Sequence, residues 1–168
     1  MIELTTPFSE EAISQLNVGD VVSISGYIYT GRDAVLPKII KAGEEGKLAD
    51  MGIDLQGSVI FHTAVSPAGV GPTSSNKVEI ESSFEPLSKL GVKMHLGKGA
   101  ISKETVKKLA ENNAVFAVIP PVTALLESQT VEREVVAYPE LGMEAMNRLQ
   151  VVKYQAIIGA AKGRSIYD

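Results

Sequence analysis

The sequence predicts a mixed α/β domain with a layered β/β/α arrangement, in preference to an all-parallel doubly wound sheet. Three observations carry that prediction. Strand and helix patterns alternate through the middle of the chain, whereas both ends are rich in strand patterns. Hydrophobic residues make up 45% of 168 residues, enough material for a sizeable core. No internal repeat, low-complexity tract or linker interrupts the chain, which places residues 1–168 in one domain.

Taken in order, Ser9 is an N-cap candidate for a short helix over Glu10–Leu16, whose acidic first turn suits the positive end of the helix dipole. Gly19-Asp20 turns the chain into Val21–Tyr29, where Val22, Ile24 and Ile28 share one face and Ser23, Ser25, Tyr27 and Tyr29 the other, the period of a half-buried strand. Thr30-Gly31-Arg32-Asp33 is a turn. Asp33 is placed to cap the next helix, with Pro37 in its first turn, where a missing N–H does least harm. Gly52 and Gly57 bracket a second turn region before a buried strand over Ser58–Thr63. The stretch from Ala64 to Lys77 is the longest run of small and turn-forming residues, expected as a functional loop.

Leu87–Leu90 has the character of a helix tail stopped by Gly91, and Val92–Leu96 that of a short strand ending in Gly97-Lys98-Gly99. Ser102 caps an amphipathic helix, Lys103–Glu111, with Val106, Leu109 and Ala110 on its inner side. Ala114–Ile119 is a buried strand broken by Pro120-Pro121, followed by a helical patch, Val122–Leu126. Glu132–Tyr138 alternates weakly, as an edge strand does. Gln150–Val152 and Ala156–Ala160 close the sequence as two strands.

Composition excludes several functions. Net charge is −4, with both signs interspersed and no basic block, so no nucleic-acid partner is expected. The apolar runs are too short to span a bilayer, and MIELTTPFSEE lacks the pattern of a signal peptide, so a cytoplasmic protein is expected. The chain has no cysteine, which excludes disulfides and any thiolate-held zinc or iron–sulfur cluster of its own. His62 and His95 are too far apart in sequence to form a helical metal motif, so no metal site is assigned.

Three loops follow predicted strands and combine glycine with a cation: Thr30-Gly31-Arg32-Asp33, Gly71-Pro72-Thr73-Ser74-Ser75-Asn76-Lys77 and Gly97-Lys98-Gly99. Glycine admits close backbone approach, and arginine or lysine supplies charge-assisted bonds to oxyanions. Converging at strand ends, such loops would form a pocket for a small anion, with a dicarboxylate as one that fits. Plainer readings stand beside this one. Arg32 next to Asp33 reads equally as a surface ion pair, Lys98 as an exposed turn lysine, and Thr73 and Ser74 as helix caps. His62 and His95 read as hydrogen-bonded core residues, and Glu132 with Glu134 as a solvated strand face. The order Gly-Lys-Ser/Thr is missing from the Gly71–Lys77 loop, which rules out a phosphate loop. No complete catalytic set is visible.

At the same loops the sequence resembles the beta-type domain of class I (iron–sulfur) fumarases and L-tartrate dehydratases. Gly26-Tyr27-Ile28-Tyr29-Thr30-Gly31-Arg32-Asp33 is similar to the start of that domain. Gly71-Pro72-Thr73-Ser74-Ser75 is similar to its Gly-Pro-Thr-Thr-Ser element, and Gly97-Lys98-Gly99 to its Lys-Gly element. Glu140-Leu141-Gly142-Met143-Glu144-Ala145 is similar to its Glu-Leu-Gly-Met-Glu-Ala stretch. The four occur in family order, from about Leu4 to the C-terminus. The resemblance implies a swivelling β/β/α fold with mixed sheets and reversible hydration of fumarate to malate. It also implies a 4Fe-4S cluster held by a cysteine-bearing alpha subunit, and hence a hetero-oligomer active only as the complex.

Carried over position by position, the resemblance makes Arg32 and Lys98 binding residues for substrate carboxylates and Thr73 the catalytic residue in proton abstraction. A neutral threonine is a weak base and would relay its proton, to a carboxylate on the partner for example. Lys77 stands where the family usually has arginine, and lysine cannot form the bidentate fork to a carboxylate. Ala34-Val35-Leu36-Pro37-Lys38 lacks the histidine expected after Gly-Arg-Asp, and Pro120-Pro121-Val122-Thr123 replaces a glycine- and alanine-rich element. An L-tartrate dehydratase beta subunit and a non-catalytic dicarboxylate-binding module remain the alternatives.

Overall fold

The computed structural model describes every residue except 33, 67–68, 74–76, 99–100, 120–128 and 167–168; for 64–66, 69–73 and 77–80 it describes the backbone alone. Ten strands and four α-helices are assigned among the described residues. The strands are β1 (Ile2–Thr5), β2 (Val21–Thr30), β3 (Val59–Phe61), β4 (Thr63–Ser66), β5 (Gly69–Thr73), β6 (Met94–Gly97), β7 (Val115–Val118), β8 (Thr130–Ala137), β9 (Met146–Ala161) and β10 (Arg164–Ser165). The helices are α1 (Glu10–Ser14), α2 (Leu36–Glu44), α3 (Lys77–Lys89) and α4 (Lys103–Glu111). The result is a mixed α/β structure with a sheet-dominated core.

The main sheet closes on itself. Strands β2, β3, β6 and β7 run parallel in that spatial order. Antiparallel β9 pairs with β7 on one side of the sheet and with β2 on the other, completing a ring of five strands. Strand β9 has 16 residues, and its two edges divide the work. Along one edge it follows β2 from Asn147 to Ile157, and along the other it pairs first with β8 and then with β7. The crossovers from β2 to β3 and from β6 to β7 each carry a helix, as parallel neighbours require.

Alternation along each strand sorts the core. Val22, Ile24, Ile28, Val59, Phe61, Met94, Leu96, Val115, Ala117, Leu149 and Ile158 point into the ring and pack together. Intervening residues face the helices. Ile60 packs with Val35, Leu36 and Ile39 near α2 and with Leu87 of α3, while Phe116 packs with Phe84, Val106 and Leu109 of α3 and α4. Gly57 has a φ of +73°, and a Cβ there would lie 2.6 Å from the Phe8 carbonyl oxygen, so only glycine lets the two backbones meet.

Several expected elements take other forms. The stretch after His62 is not a plain loop: β4 and β5 form a separate two-stranded hairpin, and α3 begins at Lys77. The two closing strands are one, since β9 continues through Lys153 at a positive φ of 56°, where the β2 register shifts between Ile24 and Gly26. The cap position of α2 is Val35, with no side-chain cap, although Pro37 does sit in the first turn. Asp33 and the helical patch Val122–Leu126 lie outside the described residues. The caps of α1 and α4 match: Ser9 accepts from Ala12 N–H and Ser102 from Thr105 N–H. No helix among the described residues is long and apolar enough to cross a membrane.

Candidate functional site

The parallel strands bring the three loops to one end of the sheet. Thr30 pairs with Phe61, and Phe61 with Leu96, so β2, β3 and β6 end side by side. The ladder continues past them: Gly31 N–H donates to Phe61 C=O at 3.1 Å, His62 N–H to Leu96 C=O at 3.1 Å, and Ile119 N–H to Gly97 C=O at 3.0 Å. With neighbouring strands about 4.8 Å apart, the exits toward Arg32 and Lys98 lie about 10 Å apart, with the β3 exit between them. That central exit leads through His62 into the hairpin, where Thr63 pairs with Thr73. Four residues after Thr73, Lys77 opens α3. The backbones of Arg32, Thr73 and Lys98 therefore share the carboxyl end of three adjacent strands, the usual ligand end of such sheets.

The side chains add detail where they are described. Lys98 is exposed. Arg32 is about one-third exposed and grips Glu144: Nη2 donates to Oε1 at 2.5 Å and Nε to Oε2 at 3.4 Å. The expected surface pair with Asp33 lies outside the described residues; the partner seen is 112 positions away. Glu144 ends the 3₁₀ segment Pro139–Glu144, within the Glu-Leu-Gly-Met-Glu-Ala stretch, and that segment packs on β4. Sequence reasoning singled out the stretch and gave Glu144 no role. The signal was a second carboxylate in the Glu140–Ala145 stretch, apart from the motif that holds Arg32, and the pairing of β2 with β9 is what joins them.

Beneath the central exit lies a buried polar chain. His62 Nε2 and His95 Nδ1 share a hydrogen bond of 3.1 Å, and His95 Nε2 is 3.0 Å from Ser88 Oγ. The Phe84 ring stacks on His95 at 4.4 Å between centroids and leans on His62 at 4.9 Å. Both histidines are fully buried, and His62 Nδ1 has no hydrogen-bond partner among the described residues. Burial pushes the His62 imidazole down to about 3 and His95 well below the usual range, the latter opposed also by charge on His62. Both are neutral core groups at ordinary pH, in keeping with the expected hydrogen-bonded core role. Glu132 and Glu134 are exposed on β8, with Glu134 3.5 Å from Arg148.

No metal can be assembled from what is described. The chain has no cysteine, and among the described residues no three His, Asp or Glu side chains gather to hold an ion. Among the described side chains, Arg32 and Lys98 lie at one sheet end, cations of the kind that pair with an oxyanion.

Similar proteins place the chain in a family. A family model described as the fumarase C-terminus matches residues 1–168. A Geobacillus stearothermophilus protein named provisionally as a class I fumarate hydratase is 30% identical over all of this chain, which spans 34% of that protein's length. A Methanocaldococcus jannaschii protein, provisionally an L(+)-tartrate dehydratase subunit beta, is 31% identical over 95% of this chain and 88% of its own. The L(+)-tartrate dehydratase subunit beta of Escherichia coli is 32% identical over 83% of this chain and 72% of its own. With the family model matching the whole length, the chain belongs to the fumarase C-terminus family, as a hydro-lyase domain of the beta type.

Proposed function

We propose that this chain, a single domain of swivelling β/β/α architecture, is the beta subunit of a class I fumarate hydratase. In this reading it binds the two carboxylates of fumarate or malate and presents Thr73 to the reacting carbons. The observation that carries the reading is the convergence of Arg32, Thr73 and Lys98 on the carboxyl ends of β2, β3 and β6. Long cationic side chains on exits about 10 Å apart can hold the two ends of a short dianion. Lys77, at the start of α3, adds a cation there without the bidentate geometry of an arginine. Thr73 moves a proton at its hydroxyl oxygen and passes it on to a stronger base.

A 4Fe-4S cluster finds no ligand set in this chain, so a cysteine-bearing alpha subunit holds it and the active species is a hetero-oligomer. The names of the tartrate dehydratase relatives, which carry the words "subunit beta", support a two-subunit assembly. The same names favour a second reading, an L-tartrate dehydratase beta subunit: the chain spans most of those relatives' length and about a third of the fumarate hydratase's.

The test is anaerobic co-purification with the alpha subunit, followed by assays with fumarate, malate and L-tartrate. Oxygen-sensitive fumarate hydration by the complex is expected, with no turnover by this chain alone. Turnover of L-tartrate only would establish the second reading. A lone chain that binds dicarboxylates without a partner would replace both with a binding module. In the active complex, Arg32→Ala should reduce kcat/KM by at least about 100-fold, the order expected when a charge-assisted anchor of the reacting substrate is lost.

A further inference from the structure

We propose that Glu144 is a positioning residue for Arg32, bracing the guanidinium so that its remaining N–H edge is held ready for a ligand carboxylate. The inference rests on the substrate-binding reading of Arg32 given above. A guanidinium carries five N–H donors in a planar fork. Glu144 takes the side edge, with Oε1 on Nη2 and Oε2 on Nε. The opposite edge, made by Nη1 and the second hydrogen of Nη2, has no partner among the described residues. One carboxylate is therefore already seated, and the opposite edge carries the donors that a second, in the same plane, would use. The two side chains are 32% and 29% exposed, so a ligand can reach the pair.

The brace is built into the strand ladder. Thr30 pairs with Asn147 at the end of the β2–β9 ladder, and Asn147 N–H donates to Thr30 Oγ1 at 3.3 Å. Arg32 lies two residues beyond that rung on one strand, and Glu144 three residues before it on the other. Ala145 and Met146, which follow Glu144, are buried, and Ala145 N–H donates to Gly142 C=O at 3.1 Å. Glu144 thus stands on a fixed backbone, whereas Arg32 lies on a turn. A long side chain leaving a turn samples many rotamers unless something holds it. A brace of this kind shows mainly in how well substrate binds, because the guanidinium grips the same carboxylate before and during the reaction, and an interaction made equally in both moves KM rather than kcat.

The experiment compares wild type, Glu144→Gln, Glu144→Asp and Arg32→Ala in the complex with the alpha subunit, using whichever dicarboxylate the wild type turns over. Glu144→Gln should raise KM roughly fivefold to thirtyfold, the worth of one charge-assisted hydrogen bond, with kcat within about threefold. Glu144→Asp keeps the charge on a shorter arm and should fall between. A lower KM in Glu144→Gln would mean that Glu144 competes with substrate for Arg32, and the brace is wrong. Unchanged KM in both Glu144 variants would show an idle surface ion pair, which also overturns it. If Arg32→Ala loses turnover while the Glu144 variants behave as wild type, only the brace fails. If Arg32→Ala turns over normally, or the wild-type complex acts on no dicarboxylate, the reading of Arg32 fails and takes the brace with it.

Discussion

Acidifying the protein from about pH 7.5 to about pH 5 should cost it about 2 kcal/mol of folding stability through His62, with a further loss in the same direction through His95. Both imidazoles are fully buried, against each other and the Phe84 ring. His62 stays neutral in the folded state until about pH 3, and His95 is likewise held well below the usual range. In the unfolded chain each titrates near 6.5. Between those values the unfolded state binds more protons than the folded one, so stability rises with pH and is lost as pH falls below about 6.5. Integrating that difference for His62 down to pH 5 gives about 2 kcal/mol, a sizeable share of the 5–15 kcal/mol typical of a domain, and His95 moves stability in the same direction. Glu10, held low by its hydrogen bond to Lys93, loses its contribution within the carboxylate range, largely below this window. The assay is urea unfolding at closely spaced pH values, in wild type and in His62→Gln. The variant lowers stability throughout, but its pH slope in this window should be shallower than that of wild type. A flat wild-type profile, or equal slopes in the two proteins, would refute the neutral-pair argument.

Two further outcomes are expected. Gly57→Ala forces a Cβ to within 2.6 Å of Phe8 C=O and 2.9 Å of Phe8 N at a φ of +73°, and backbone cannot give way cheaply. It should cost more than about 1 kcal/mol, seen as a lowered midpoint in thermal unfolding. Thr73→Val keeps the side-chain shape on β5 and removes the hydroxyl. In the complex it should lower kcat by about 100-fold or more while KM stays within a few-fold, and an unchanged kcat would take Thr73 out of the proposed proton transfer.

Much of the architecture was legible because periodicity reports burial. Val22, Ile24 and Ile28 do line the ring interior, and Ser9 and Ser102 do cap their helices. Ring closure was not legible: β9 looked like two strands because Lys153, Gln155 and Ile157 are exposed, masking one continuous ladder. The hairpin was read as a loop because Gly69, Gly71 and Pro72 are poor strand formers, and backbone pairing overrides that preference. At the site, glycine beside a cation marked the three loops, since each loop is local in sequence. The Arg32–Glu144 pair and the His62–His95–Ser88 chain join distant residues through strand register, which one sequence does not display.

The closing strand also sets an order of events during synthesis. Strands β2 and β7 each have an edge that only β9 covers, and β9 begins at residue 146. Until that segment leaves the ribosome, both edges present unpaired N–H and C=O groups to any neighbouring chain. The contacts that retire them span more than 100 residues in the case of β2, so the loop-closure entropy falls due late and in one step. The newborn chain is therefore most prone to aggregate while β9 is still unmade, and conditions that slow translation through residues 146–161 should draw more of it into inclusion bodies.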